Sequence, residues 1–88
     1  MIGWQIVYTR RAEKDFALIG RSDLKARLRL LIDLLRTDPL AFPPAYESLT
    51  GELSGLYSRR INRQHRLVYE VLPELRTVKI VRMWTHYE

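Results

Sequence analysis

The sequence contains no cysteine and only two histidines, His65 and His86. The first absence excludes a disulfide framework, a thiolate nucleophile and zinc or iron–sulfur sites held by cysteine. Two histidines are too few for a histidine-rich metal centre, so we expect neither a metal nor a cofactor. No apolar run approaches the roughly 18 residues that a membrane-spanning helix needs.

The first residues, MIGWQIVYTRR, place their charges after the apolar stretch, whereas a secretory signal carries positive charge first. We therefore expect a cytoplasmic protein that does not associate with membranes. A length of 88 residues corresponds to one domain, 1–88. With 47% hydrophobic and 28% charged residues, the composition is that of a folded globular chain.

Basic residues are in excess, and most of them are arginine. Twelve of the fifteen are arginine, and the net charge is +5. Residues 57–88 hold seven basic and three acidic residues, whereas residues 1–56 hold eight and seven. The planar donor fork of arginine suits phosphate. The excess favours a polyanionic partner, either a nucleic acid or an acidic protein segment, although a solvated basic surface also explains it.

The first half of the chain predicts one strand and two helices. Residues 4–9, WQIVYT, are β-branched and aromatic and predict a strand. Thr9 can cap a helix that ends at Gly20, and a second helix ends before Pro39. Their apolar residues recur at spacings of three and four, as in helices with one buried face. The predicted buried positions are Ala12, Phe16, Ile19, Leu24, Leu28, Leu31 and Leu35.

The second half of the chain predicts a loop and three strands. Residues 38–55 contain three prolines and two glycines, and a loop this long is usually functional. Residues 56–61, 65–72 and 77–84 then predict an antiparallel meander with tight turns. The expected fold class is α+β, with the order β-α-α-β-β-β. A two-helix hairpin packs on one face of an antiparallel sheet, and the other face is free to be polar.

The alternation of side chains across strands indicates which arginines reach the open face. Leu67 and Tyr69 belong to the core set, so Arg66 should project from the face without helices. Arg59 and Arg60 lie on opposite faces of the preceding strand, and the sequence does not fix which of them approaches Arg66. Two converging arginines repel each other unless an anion binds between them, so convergence would indicate an anion site.

Residues suited to general acid–base chemistry occur in the loop and at the end of the chain. They are Glu47 and the closing pair His86 and Tyr87. Taken singly, each has an ordinary explanation, because a loop glutamate is usually solvated and a terminal pair often packs. His65, beside a turn, is best explained as a structural histidine.

A longer pattern joins these residues. The stretch ESLTGELSGLYSRRINRQHRLVYEV, followed by the terminal MWTHYE, resembles the YoeB/Txe toxins of the RelE superfamily. Leu-Ser-Gly, an aromatic residue, Ser-Arg-Arg-Ile, His-Arg-Leu-Val-Tyr and a closing His-Tyr follow one another in order. An ordered pattern of this length is far more specific than one short motif, and the predicted element order agrees over the whole chain.

The resemblance implies a RelE-like microbial RNase fold and a toxin of a type II toxin–antitoxin system. Such toxins bind the ribosomal A site, cut mRNA there and inhibit translation. The resemblance assigns the general base, the phosphate-stabilising arginine, the general acid and the adjacent terminal aromatic residue to Glu47, Arg66, His86 and Tyr87. The predicted RNA-binding residues are Arg59, Arg60 and Arg63, of which Arg60 matches a further active-site arginine.

The resemblance also implies partners and a mechanism. The expected partners are a YefM/Phd-type antitoxin with an extended acidic segment, the ribosome with its mRNA, and a second copy in a homodimer. RNA supplies its own nucleophile, the 2′-hydroxyl. A base removes the 2′ proton, an acid protonates the leaving 5′ oxygen, and positive charge stabilises the phosphorane. The implied activity is therefore that of a metal-independent endoribonuclease.

The sequence departs from the family pattern at two places. Thr50 and Gly51 follow Leu49, where many members have a lysine, and Glu88 extends the chain beyond the usual terminal tyrosine. Two other functions stay open: a ParE-like inhibitor of DNA gyrase, and an RNA-binding module without catalysis. The first would arrest supercoiling, and the second would leave bound RNA intact.

Overall fold

Within residues 3–83, which the computed structural model describes, five strands form one sheet with two helices packed against it. In chain order the elements are β1 (Gln5–Tyr8), α1 (Arg10–Ile19), α2 (Lys25–Thr37), β2 (Glu47–Ser48), β3 (Leu56–Arg60), β4 (Arg66–Leu72) and β5 (Thr77–Arg82). Single 3₁₀ turns lie at Gly51–Leu53 and Pro73–Leu75. The strand order in the sheet is β1-β5-β4-β3-β2. The predicted α+β fold with two helices on a sheet is confirmed.

The sheet differs from the prediction at both of its edges. β3, β4 and β5 form the predicted antiparallel meander, but β1 runs parallel to β5, so the sheet is mixed. The two helices carry the chain from this edge across the sheet to the opposite edge. There Glu47 and Ser48, predicted to be part of an irregular loop, pair with Ser58 and Tyr57 as β2. A strand of two residues is too short to show alternation in the sequence.

The hydrophobic core lies between the helices and one face of the sheet. Thr9 caps α1 as predicted, because its Oγ1 accepts a hydrogen bond from the Ala12 backbone N at 3.0 Å. The stripe predicted for α2 is confirmed by its buried residues, which are Leu28, Leu31, Ile32 and Leu35. Neither helix in this part of the chain is both long and apolar enough to cross a membrane.

One predicted core position of α1 is wrong. Phe16 is 41% exposed and stacks on Tyr8, with 5.9 Å between the ring centroids. Its neighbour Asp15 is buried instead, because its Oδ2 accepts hydrogen bonds from Arg82 Nε at 2.8 Å and from the Met83 backbone N at 3.0 Å. This charge-assisted pair ties α1 to the end of β5.

Candidate active site

The face of the sheet opposite the helices carries the predicted base and the predicted phosphate-stabilising arginine. Glu47 lies directly opposite Ser58 in the β2–β3 pair, and Arg60 lies directly opposite Arg66 in the β3–β4 pair. Ser58 and Arg60 are two residues apart on β3, so all four side chains project from the same face. The register therefore identifies Arg60, and not Arg59, as the arginine that meets Arg66.

Glu47 and Arg66 come into contact on this face. Arg66 Nη1 lies 3.5 Å from Glu47 Oε1 and 3.4 Å from Ser58 Oγ. The Glu47 side chain is 68% exposed and that of Arg66 is 24% exposed. They line an open cavity of about 190 Å³ together with Ser58 and Leu49. An exposed pair of this length contributes only about 0–1 kcal/mol to stability, so stability does not account for the arrangement.

Arg60 adds a second cation beside Arg66. The Cβ atoms of directly opposite residues in an antiparallel pair are about 4.5–5.5 Å apart, and like charges in that position destabilise the sheet. Arg60 is exposed, and among the described residues no carboxylate lies within ion-pair distance of it. An anion bound between Arg60 and Arg66 would relieve the repulsion. The convergence of arginines that indicates an anion site is therefore present.

A larger cavity of about 280 Å³ at the edge of β3 extends this site, and it is lined by a basic residue that the sequence did not predict. β2 pairs only with Tyr57 and Ser58, which leaves the edge of β3 beyond residue 58 open. The lining residues are Arg27, Pro44, Ala45, Tyr46, Glu47, Ser58, Arg59, Arg60 and Arg66. The new member is Arg27, an exposed side chain of α2. No local signal distinguishes it from the other basic residues of that helix, because only the tertiary fold brings it beside the loop.

The prediction that Arg59 binds RNA is wrong. Arg59 is 1% exposed, and its guanidinium donates hydrogen bonds to the Tyr69 hydroxyl and to backbone carbonyls of the proline-rich loop. A guanidinium enclosed in this way is not accessible to RNA. Burial raises the pKa of the Tyr69 hydroxyl, whereas the hydrogen bond from Arg59 and its positive charge oppose that rise.

The turn between β3 and β4 contains two further residues of interest. Arg63 is exposed at the tip of this turn, just beyond the Arg60–Arg66 pair, where RNA could reach it. His65 is 4% exposed, and its backbone N donates to Asn62 Oδ1 at 2.7 Å. His65 is thus a buried part of the turn, as predicted for a structural histidine.

The predictions for the tail pair, for the loop after Leu49 and for a metal site remain to be compared with the structure. His86 and Tyr87 lie outside the described residues, so their assigned roles stay predictions. Gly51, which with Thr50 departs from the family pattern described above, adopts φ +67° at the start of a 3₁₀ turn. Glycine suits this left-handed conformation, which other residues adopt at a cost. Within residues 3–83, no group of three or more His, Cys, Asp or Glu side chains is arranged to hold a metal ion.

Comparison with known proteins gives relatives that span almost the whole chain. A family model described as "YoeB-like toxin of bacterial type II toxin-antitoxin system" matches residues 7–87. A curated relative, Toxin YoeB from Synechocystis sp., is 35% identical over 86 residues. The alignment covers 96% of this chain and 98% of that protein.

Solved structures share the fold. A YoeB/ParE toxin from Agrobacterium tumefaciens superposes with a TM-score of 0.85 and 28% identity, over 94% of this chain and 99% of that one. The YoeB chain of a YoeB–YefM complex from Staphylococcus aureus gives a TM-score of 0.80 and 30% identity, over 96% and 98%. A YoeB dimer from the same organism gives a TM-score of 0.76 and 32% identity over the same shares.

Proposed function

Because the chain belongs to the YoeB-like toxins of bacterial type II toxin–antitoxin systems, we propose that it is a ribosome-dependent mRNA endoribonuclease that blocks translation. The observation that carries this proposal is the contact between a carboxylate and a guanidinium, Glu47 Oε1 and Arg66 Nη1 at 3.5 Å, beside a second cation at Arg60. Cleavage of RNA by its own 2′-hydroxyl needs a base and positive charge around one phosphate. This face of the sheet presents both.

Each group has one task in the proposed reaction. Glu47 accepts the proton of the 2′-hydroxyl, whose oxygen attacks the adjacent phosphorus. Arg66 and Arg60 stabilise the negative charge of the pentacoordinate phosphorane. The bond between phosphorus and the 5′ oxygen then breaks, and the leaving oxygen takes a proton from His86. The products are a 2′,3′-cyclic phosphate and a 5′-hydroxyl, and no step requires a metal ion.

The role of Tyr87 in this proposal is to stack on or orient a base, a contact that contributes about 1–3 kcal/mol. The roles of both tail residues, His86 and Tyr87, are carried over from the family resemblance. His86 supplies the general acid in this proposal, because residues 3–83 offer no accessible histidine: His65 is buried. A His86→Ala variant with full activity would remove the acid assignment.

The proposed partners are those of similar toxins, and the antitoxin and the RNA would bind the same face of the sheet. A relative from Staphylococcus aureus is found in a complex with YefM, and we propose a YefM/Phd-type antitoxin for this chain. The acidic segment of such an antitoxin would meet the charges of Arg60 and Arg66, which also face the RNA, so that its binding would block the site. The ribosomal A site would present the mRNA. A homodimer is proposed because another structure from that organism is a YoeB dimer.

The proposal is tested by conditional expression of the chain with mapping of mRNA 5′ ends, alone and together with the neighbouring open reading frame. We expect new 5′ ends within translated codons and their loss when the antitoxin is present. Purified protein should cut ribosome-bound mRNA and leave 2′,3′-cyclic phosphate ends. Products without a cyclic or 3′ phosphate would exclude the 2′-hydroxyl mechanism. Arrest of DNA supercoiling with intact mRNA would instead identify a gyrase inhibitor.

Arg27 is expected to bind the RNA backbone from the α2 side of the larger cavity. We expect Arg27→Gln to weaken the binding of ribosome-bound mRNA by roughly 5-fold, the effect of one exposed charged contact of about 1 kcal/mol. The slope of log affinity against log salt concentration should fall by about 1. Binding titrations at several salt concentrations measure both quantities.

The matched control for this prediction is Arg21→Gln. Arg21 is an exposed arginine between the two helices and does not line the cavity. The substitution removes the same charge, so it corrects for the change in net charge of the whole protein. Equal losses of affinity in the two variants would show that Arg27 makes no specific contact.

A further inference from the structure

Arg59 is a buried cation that is held without a carboxylate partner among the described residues. Its acceptors are the Tyr69 hydroxyl to Nε at 3.0 Å, the Pro44 carbonyl to Nη1 at 2.8 Å, and the carbonyls of Pro39 and Ala41 to Nη2 at 3.0 and 2.8 Å. The ring of Tyr46 lies 4.8 Å from its Cζ atom. These groups form the guanidinium cage, the name used below for the set Pro39, Ala41, Pro44, Tyr46 and Tyr69.

The composition of the loop explains why it can form this cage. Each proline lacks a backbone N–H but keeps its carbonyl, so the segment with Pro39, Pro43 and Pro44 has more acceptors than donors. A guanidinium has five donors and no acceptor, and it therefore supplies what the segment lacks. The Tyr69 hydroxyl also donates to the Pro39 carbonyl at 2.8 Å. One side chain of β3 thus fixes three separate points of the loop.

The cage ends at the residue before the proposed base. Tyr46 packs against Arg59, and Glu47 follows it as the first residue of β2. A strand of two residues cannot hold its own position, since isolated strand pairs are marginal even when they are longer. On the other side of β2 the Leu49 backbone N donates to the Leu56 carbonyl at 2.9 Å. The position of Glu47 relative to Arg66 therefore depends on the short β2–β3 pairing and on what holds its two ends, the cage on one side and the Leu49–Leu56 bond on the other.

We propose that Arg59 is a positioning residue for Glu47, acting through the proline-rich loop from the face of β3 opposite to the site. Arg59 holds Tyr46, and Tyr46 places the carboxylate of Glu47 against Arg66. This inference rests on the proposed function for its effect on cleavage. The effect of Arg59 on the geometry of the loop is independent of whether the protein cuts RNA.

The test is a double-mutant cycle on the full chain, with steady-state cleavage of ribosome-bound mRNA. Arg59→Lys keeps the charge but offers fewer donors in a different geometry. We expect it to lower kcat by about 10–100-fold with little change in KM, the effect of a misplaced catalytic group. In a Glu47→Gln background, Arg59→Lys should lower kcat by less than about 3-fold, because the carboxylate that Arg59 positions is already absent. Arg21→Lys, an exposed replacement of the same kind, should leave both parameters unchanged.

Two outcomes would overturn the inference. Equal losses of kcat from Arg59→Lys in both backgrounds would show that Arg59 does not act through Glu47, and an unchanged kcat would show that the cage is not needed. If Arg59→Lys does not fold, as judged by circular dichroism, Tyr69→Phe removes one acceptor while the ring stays. The cycle of Tyr69→Phe with Glu47→Gln should then show the same non-additivity with a smaller amplitude.

A measurement independent of cleavage separates this inference from the proposed function. Amide hydrogen exchange at Leu49 reports whether β2 stays paired with β3, and exchange in α2 reports the fold as a whole. We expect Arg59→Lys to speed exchange at Leu49 and to leave α2 unchanged. If the wild-type protein cuts no RNA, the proposed function fails, and the exchange rate at Leu49 alone tests the positioning role of Arg59. Unchanged exchange at Leu49 would then overturn the positioning role.

Discussion

Replacing Glu47 by glutamine is expected to slow cleavage of ribosome-bound mRNA by about 10²–10⁴-fold, the range for loss of one acid–base group. The amide keeps the size and shape of the side chain but cannot accept the 2′ proton. Glu47 is 68% exposed and its contact with Arg66 is 3.5 Å long, so the free energy of unfolding should change by less than about 1 kcal/mol. Single-turnover cleavage at saturating protein, together with urea denaturation, measures both quantities.

The chain offers a matched control for this substitution in the same loop. Glu52 is an exposed glutamate in the 3₁₀ turn Gly51–Leu53, and it lines neither of the two cavities at the site. Glu52→Gln changes the net charge by the same amount and should leave the rate unchanged. If Glu47→Gln retains the wild-type rate, or if both variants slow the reaction equally, Glu47 is not the base.

Most of the fold follows from the hydrophobic periodicity of the sequence and from the residues that begin and end its helices. The α2 stripe and the Thr9 cap are local features, and the structure agrees with them. The parallel pairing of β1 with β5 is not local, because it depends on where two helices return the chain. β2 was missed because two residues show no period, and their pairing partners lie nine and eleven residues further along the chain.

The site shows the same division between local and long-range information. Alternation alone placed Arg66 on the open face, since Leu67 and Tyr69 occupy the core face. It did not show that Arg59, on the core face, would find enough acceptors to be buried, because those acceptors are carbonyls 15–20 residues earlier in the chain. Arg27 was missed because its place depends on how α2 packs over the loop.

Replacing Arg59 by methionine is expected to lower the free energy of unfolding by about 3–5 kcal/mol, because three backbone carbonyls lose this donor and each unsatisfied buried acceptor costs about 1–3 kcal/mol. Methionine fills part of the volume but donates nothing to the carbonyls of Pro39, Ala41 and Pro44. Domains of this kind are stabilised by about 5–15 kcal/mol in total, so the change is large. Urea denaturation followed by tryptophan fluorescence measures the loss, and the midpoint of thermal unfolding should fall by about 4–8 °C for each kcal/mol.

The adjacent arginine provides the control, because Arg60→Met makes the same chemical change on the other face of β3. Arg60 is exposed and faces Arg66, so its replacement should change stability by no more than about 0.5 kcal/mol and relieves a like-charge contact. Two neighbouring arginines would then differ by several kcal/mol in stability, with the buried one supporting the loop and the exposed one binding the anion. A loss below about 1 kcal/mol for Arg59→Met would contradict this division. It would mean that water can replace the guanidinium in the cage, and that the loop keeps its shape without it.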